Sequence, residues 1–181
     1  VLLADETLLA PLLSCIPETL GPVNISSGIP WHQWPVKGML DLFIELHQEY
    51  QRSRHLSLGS LNGLLAHPLA SPSGAVFDGV PELADHDRPV VKETELRAIE
   101  ARYPWTAGLF APLRIPSLTE AARTLLTHLA VARAGDPWTA EQVARAMEGS
   151  ATLCSDLALA GLDIDASFAL TSVCLLYTSP S

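Results

Sequence analysis

The chain is poor in cysteine, with three in 181 residues. Cys15, Cys154 and Cys174 are odd in number, lie far apart and form no C-x-x-C pair. This spacing excludes both a disulfide scaffold and a common structural zinc site. We therefore expect the reducing environment of the cytoplasm.

Long apolar runs are also absent, although the overall composition is apolar. No run reaches the 18 or so residues of a membrane-spanning helix, because proline, aspartate or serine interrupts each one. The first residues also lack the basic region of a signal peptide. Hydrophobic residues make up 48% of the chain and charged residues 17%, which excludes a disordered protein. The length suits one domain, or one domain and part of another.

Positive charge is scarce. Eleven basic residues stand against 20 acidic ones, for a net charge of −9. Neutralising phosphates requires clustered lysine and arginine, so this balance argues against an autonomous, tight DNA-binding protein. It is compatible with a module that lies beside a basic channel formed elsewhere.

Sequence motifs of the common catalytic sites are missing. No G-x-x-x-x-G-K-[S/T] or H-E-x-x-H motif occurs, and Ser60 is misplaced for a G-x-S-x-G elbow. The run Asp85-His86-Asp87 has ligand types for a cation, but a solvated loop is the favoured interpretation. We therefore predict no catalytic residue, no metal ligand and no cofactor in this chain.

The most informative segment is a helix predicted to begin at Pro35, where the missing N–H of proline costs nothing. Its apolar residues recur at helical spacing and form one stripe. They are Val36, Met39, Leu40, Phe43, Leu46 and Tyr50. Asp41, Glu45 and Glu49 share another face. Three carboxylates in one environment do not separate their pKa values as catalysis requires, so a solvated face is favoured.

The chain before this helix has α/β character. Residues 1–4 and 23–26 are predicted strands that flank a helix over 5–16, and such a unit pairs its strands in parallel. After residue 35 we expect only helices and loops, with helices at 57–66, 93–103, 117–135 and 139–161. A long loop separates the first two of these, over 69–92. Two strands make no stable sheet alone, so we expect that the native protein is longer.

An ordered series of residues resembles a known family. The series contains Leu-Ala-Asp-Glu-x-Leu-Leu-x-Pro-Leu-Leu over 3–13, Val-Asn-Ile-Ser-Ser-Gly-Ile-Pro over 23–30, and Leu-Leu-Ala-His-Pro-Leu over 64–69. It is similar to the helicase-like region of AddB-type subunits of the PD-(D/E)XK nuclease family, bacterial proteins that process DNA double-strand breaks. Likeness extends to about residue 172. Residues of the family signature are Asp5, Asn24, Gly28, Pro30, Pro35, His67 and Pro68.

The resemblance implies a fold and a function. The fold is mostly α with a short α/β piece. Residues 1–30 would belong to a RecA-like domain and residues 31–172 to a helical insertion. Residues 173–181 would be a non-native or disordered tail. The implied function is non-catalytic shaping of the DNA path in the bacterial cytoplasm, beside a helicase–nuclease partner subunit. The family's Asp and Glu-x-Lys nuclease signature is absent here, so Mg and ATP would act through other regions.

One local group of basic residues could contact DNA. Lys37 stands near the start of the principal helix, and Arg52, Arg54 and His55 stand at its end. Arginine at a helix C-terminus also complements the helix dipole, which is the favoured structural interpretation. A second alternative for the whole chain is a helical protein–protein interaction module without a nucleic-acid role.

Overall fold

The computed structural model describes residues 33–70 and 90–159, together with positions 12, 15 and 17, and gives side chains through residue 152. These ranges are mostly helical. The helices are α1 (Pro35–Ser53), α2 (Leu58–Ala66), α3 (Glu93–Arg102), α4 (Ala107–Phe110), α5 (Leu118–Ala132) and α6 (Pro137–Leu159). Two strands, β1 (His55–Ser57) and β2 (Val90–Lys92), and two 3-10 turns, Pro104–Thr106 and Pro112–Arg114, complete the described elements.

Helix α1 is the centre of the core, as its apolar stripe predicts. Pro35 occupies the first turn, and all six stripe residues are buried. The helix ends because Arg54 adopts a left-handed conformation, with φ of 57°, and its N–H donates to the Tyr50 carbonyl at 2.8 Å. Helices α2, α5 and α6, strand β1 and the 112–114 turn all pack against α1.

A small antiparallel sheet is the main departure from the predicted all-helical region. Strands β1 and β2 pair in the register His55↔Lys92, Leu56↔Val91 and Ser57↔Val90. Leu56 and Val91 point into the core, whereas His55, Val90 and Lys92 are exposed. Three-residue strands are too short for a period-two pattern to be recognised, and 32 residues separate them in sequence. The prediction of only helix and loop after residue 35 was therefore wrong at these two strands.

Side-chain caps fix the starts of α2 and α5. Ser57 accepts a hydrogen bond from the Ser60 N–H at 3.1 Å, and Ser117 accepts one from the Glu120 N–H at 3.4 Å. The predicted helices over 57–66, 93–103 and 117–135 are confirmed within a few residues.

The start of α1 is capped by a residue from another helix. Trp34, its N-cap residue, makes no side-chain cap, and the buried Gln142 of α6 supplies one. Its Oε1 accepts from the Val36 N–H at 3.4 Å, which ties α6 to the start of α1.

The predicted strand–helix–strand unit lies outside the described residues, as do most of the loop over 69–92 and the tail over 173–181. Leu12 and Cys15 have helical backbone, as the helix predicted over 5–16 requires. Over the two described ranges, no helix combines the length and hydropathy that crossing a membrane needs.

Candidate nucleic-acid interface

Lys37 is far from the other members of the predicted basic group. It lies 15 residues before Arg52 on the same helix, which corresponds to about 22 Å along the axis. Its Nζ forms an ion pair with Asp41 one turn further on. The structure therefore separates Lys37 from the other three residues of the group.

Arg52, Arg54 and His55 lie together at the C-terminal end of α1, and all three are exposed. The Arg52 Nε donates to the Gln48 carbonyl at 3.1 Å, so the structural role of a helix-end arginine is present. The Arg54 guanidinium lies 5.2 Å from the centroid of the Tyr50 ring, a cation–π distance. His55 follows directly and begins β1.

Lys92 is the residue that the sequence analysis missed. It lies opposite His55 in the sheet and is exposed. Side chains of directly opposed residues project from the same face of a sheet, so Lys92 joins the helix-end group in space. The two positions are 37 residues apart, and only the strand pairing brings them together.

A polar network lies beside this surface and joins α1, α3 and the 112–114 turn. The Tyr50 hydroxyl donates to the Glu93 carboxylate, which also accepts from the Arg114 Nε at 3.0 Å and the Arg97 Nε at 3.3 Å. Arg114 donates two further hydrogen bonds to Glu100, at 2.8 and 3.1 Å. The paired geometry of arginine and carboxylate is the strong form of this interaction.

The network stabilises the ionised forms of Glu93 and Arg114 and the neutral form of Tyr50. Burial opposes the charge of Glu93, but hydrogen bonds from Tyr50 and Arg114 outweigh burial and lower the pKa of this carboxyl. Burial and the Glu93 hydrogen bond raise the pKa of Tyr50, so its hydroxyl stays protonated as a donor. Hydrogen bonds to Glu100 raise the pKa of Arg114. Fixed charges that are already paired suit a structural role better than proton transfer.

The carboxylates of α1 differ in their surroundings. Asp41 and Glu45 are exposed, and Glu49 accepts a hydrogen bond from the Ser57 N–H at 2.5 Å. Within the described part of the chain, no group of three or more histidine, cysteine, aspartate or glutamate residues is arranged to hold a metal ion.

Two of the four tryptophans pack against the core. Trp34 and Trp105 are partly buried and pack on the core, whereas Trp138 is 42% exposed. Trp31 lies outside the described residues.

His67 and Pro68 are the signature residues that the structure describes after α1. His67 ends α2, and its Nδ1 accepts from the Leu69 N–H at 3.2 Å. Burial lowers the pKa of His67 because it disfavours the charged imidazolium. The Pro68 carbonyl accepts from Arg133, which links this turn to the end of α5. Pro35 opens α1 as predicted, and the signature positions Asp5, Asn24, Gly28 and Pro30 lie outside the described residues.

Two partly buried histidines, His67 and His128, make the stability of the folded protein pH-dependent. Burial lowers the pKa of both His67 and His128, so the unfolded chain binds more protons than the folded one below the ordinary histidine value of 6.5. Their contribution is complete above pH 6.5 and is lost as pH falls through the folded pKa. We expect the Tm to fall between about pH 7 and pH 5.5, with up to one proton taken up per histidine on unfolding.

Thermal melts monitored by circular dichroism across this pH range measure the effect. The His67→Gln, His128→Gln double variant should have a flatter dependence of Tm on pH than the wild type. His55→Gln, at an exposed histidine, controls for the loss of a surface imidazole. An equally steep decline in the double variant would contradict the assignment.

No family model, curated protein or solved structure matches this chain. The family resemblance therefore rests on the residues quoted in the sequence analysis. The structure contributes the local geometry around Arg52, Arg54, His55 and Lys92.

Proposed function

We propose that this chain is a non-catalytic, mostly helical part of a helicase-like subunit that acts in DNA double-strand-break repair, where it contacts and guides a DNA strand. The ordered sequence series over 3–69 supports the family, and the exposed basic end of α1 supports the DNA contact. Of these, the arrangement of Arg52 and Arg54 is the observation that carries the proposal.

The contact is expected to be weak when the chain is alone. Arg52 and Arg54, with their neighbours, reach about two or three phosphates, and each contact contributes about −0.7 to the salt slope on a single strand. The net charge of −9 opposes any longer-range attraction. A guiding role beside a partner subunit is consistent with this strength, because the partner would supply most of the affinity.

Removing the two arginines should abolish the DNA contact. We expect the wild type to bind a labelled single-stranded oligonucleotide at 50 mM salt and to lose the signal by about 200 mM. The Arg52→Ala, Arg54→Ala double variant should show no binding at either salt concentration. Fluorescence anisotropy titrations measure both results.

A matched control removes the same charge from another surface. Arg123 and Arg145 are exposed on α5 and α6, and the latter pairs with Glu141 at 2.7 Å. The Arg123→Ala, Arg145→Ala double variant should bind as the wild type does. If the wild type and the Arg52→Ala, Arg54→Ala variant bind equally, the basic group has only a structural role at the end of α1.

A helical interaction module is the second candidate function. Val131 near the end of α5 and Trp138 at the start of α6 are 75% and 42% exposed, and exposed tryptophan is common at protein interfaces. The acidic net charge also favours a protein partner over DNA. Absence of DNA binding at any salt concentration would place this candidate ahead of the first.

A further inference from the structure

We infer that the pairing of β1 with β2 completes a phosphate-binding surface of four residues, Arg52, Arg54, His55 and Lys92, and that its ligand is an extended single strand of nucleic acid. We call these four residues the basic surface. The inference rests on the proposed DNA contact and goes beyond it by adding Lys92, excluding Lys37 and specifying the form of the strand.

The sheet register places Lys92 at the helix-end arginines. His55 and Lys92 are Cα partners, and directly opposed residues of an antiparallel pair have Cα atoms about 4.5–5.5 Å apart. Leu56 and Val91, the next pair, are buried, so the His55 and Lys92 side chains project away from the core. Arg54 precedes His55 directly. Three cationic side chains and one imidazole therefore share one exposed end of the molecule.

Arg54 is held in place before any ligand arrives. It is the one non-glycine residue with positive φ in the described ranges, a conformation that costs roughly 1 kcal/mol. Its guanidinium lies over the Tyr50 ring at a cation–π distance, and the Tyr50 hydroxyl donates to Glu93. A side chain that is already ordered loses less entropy when it binds a phosphate.

Nearby carboxylates are turned towards donors of the protein itself. Glu93 accepts from two arginines and a tyrosine, Glu95 accepts from the Lys92 N–H at 2.7 Å, and Glu49 accepts from the Ser57 N–H at 2.5 Å. These carboxylates therefore bind groups of the protein itself. The charged groups of Arg52, Arg54 and Lys92 are the ones that the basic surface presents to solvent.

The chemistry of the surface favours a single strand over a duplex. Bases of a single strand are unstacked and can lie on an arginine plane or a histidine ring, and Arg54 and His55 offer one of each. A duplex hides its bases and is read by an element that enters a groove. Here the exposed elements are a helix end and a pair of three-residue strands, which an extended single strand can follow without a groove.

Lys92→Gln is the decisive variant, and Lys37→Gln is its matched control. If Lys92 contacts one phosphate, its loss should lower the magnitude of the slope of log K against log salt concentration by about 0.7. The affinity for labelled oligothymidylate should then fall about eightfold at 50 mM salt. Lys37→Gln removes the same charge from the other end of α1 and should leave the slope unchanged. Arg54→Lys keeps the charge but loses the planar stack, so it should weaken binding without changing the slope.

The outcomes separate this inference from the proposed function. In one outcome, the Arg52→Ala, Arg54→Ala variant loses binding while the Lys92→Gln variant binds as the wild type does. This result would overturn the four-residue surface and retain the DNA contact. Equal affinity for a duplex of the same length would overturn the single-strand ligand alone. Equal affinity for a heparin oligosaccharide, with the same variants defective, would retain the surface but overturn the nucleic-acid partner and the proposed function with it. No binding to any of these probes would overturn both.

Discussion

Replacing Phe43 with alanine should lower the free energy of unfolding by about 3–5 kcal/mol, the usual cost of removing a buried phenylalanine. Its side chain is fully buried in the middle of α1, and its ring lies 5.9 Å from that of His47, which is also buried. Because α1 contacts most other elements of the core, neighbouring helices cannot all shift to refill the space. The lost stability therefore includes both the free energy of burying the ring and the cost of the cavity left behind.

Urea denaturation monitored at 222 nm measures this loss. Glu45→Ala is the matched control, since Glu45 is an exposed residue on the same helix, and its change should stay within about 0.5 kcal/mol. Phe43→Leu should fall between the two because it retains most of the apolar volume. A Phe43→Ala variant as stable as the Glu45→Ala variant would contradict the central position of α1.

The position of α1 could be predicted because the information is local. Six apolar residues at helical spacing determine the buried face, and Pro35 determines the start, so no distant part of the chain is needed. The same reasoning succeeds for the helix after Ser117, where a capping residue precedes a second apolar stripe. Periodicity and capping are properties of a dozen neighbouring residues, and sequence reasoning reads them directly.

The two-stranded sheet could not be predicted because its information is not local. His55–Ser57 and Val90–Lys92 are each too short for a pattern to be recognised, and 32 residues separate them in sequence. The consequence for the site is direct. Lys92 enters the basic surface through this pairing. Lys37, which the sequence analysis grouped with Arg52, Arg54 and His55, is excluded because the rise of the helix separates the two ends of α1.

The network around Glu93 was likewise outside the reach of sequence patterns. Tyr50 was predicted only as the last apolar residue of the α1 stripe, but its hydroxyl binds Glu93, which is 43 positions further along the chain. Arg114 reaches the same carboxylate from a 3-10 turn that lies between two predicted helices. Such contacts follow from tertiary packing, and they explain how a stripe residue also comes to position Arg54.

Replacing Gly108 with alanine should destabilise the fold by about 1–3 kcal/mol, the cost of overpacking a core. A Cβ atom at this position would lie 2.0 Å from the Cε1 and Nδ1 atoms of His128 and 2.6 Å from its Cγ. The imidazole therefore occupies the space that only glycine leaves open between α4 and α5. Since the Cγ is attached close to the backbone, turning the end of the ring does not relieve the clash, and the ring must leave its site.

A double-mutant cycle tests this interpretation. In a His128→Ala background the added methyl group has room, so Gly108→Ala should become neutral or stabilise by up to about 1 kcal/mol, the helix propensity gained over glycine. Gly59→Ala is the matched control, because no atom lies within 4 Å of its added Cβ. It should be neutral or stabilising in both backgrounds. Chemical denaturation of the four cycle members gives the coupling energy, and a value near zero would show that His128 does not pack against Gly108.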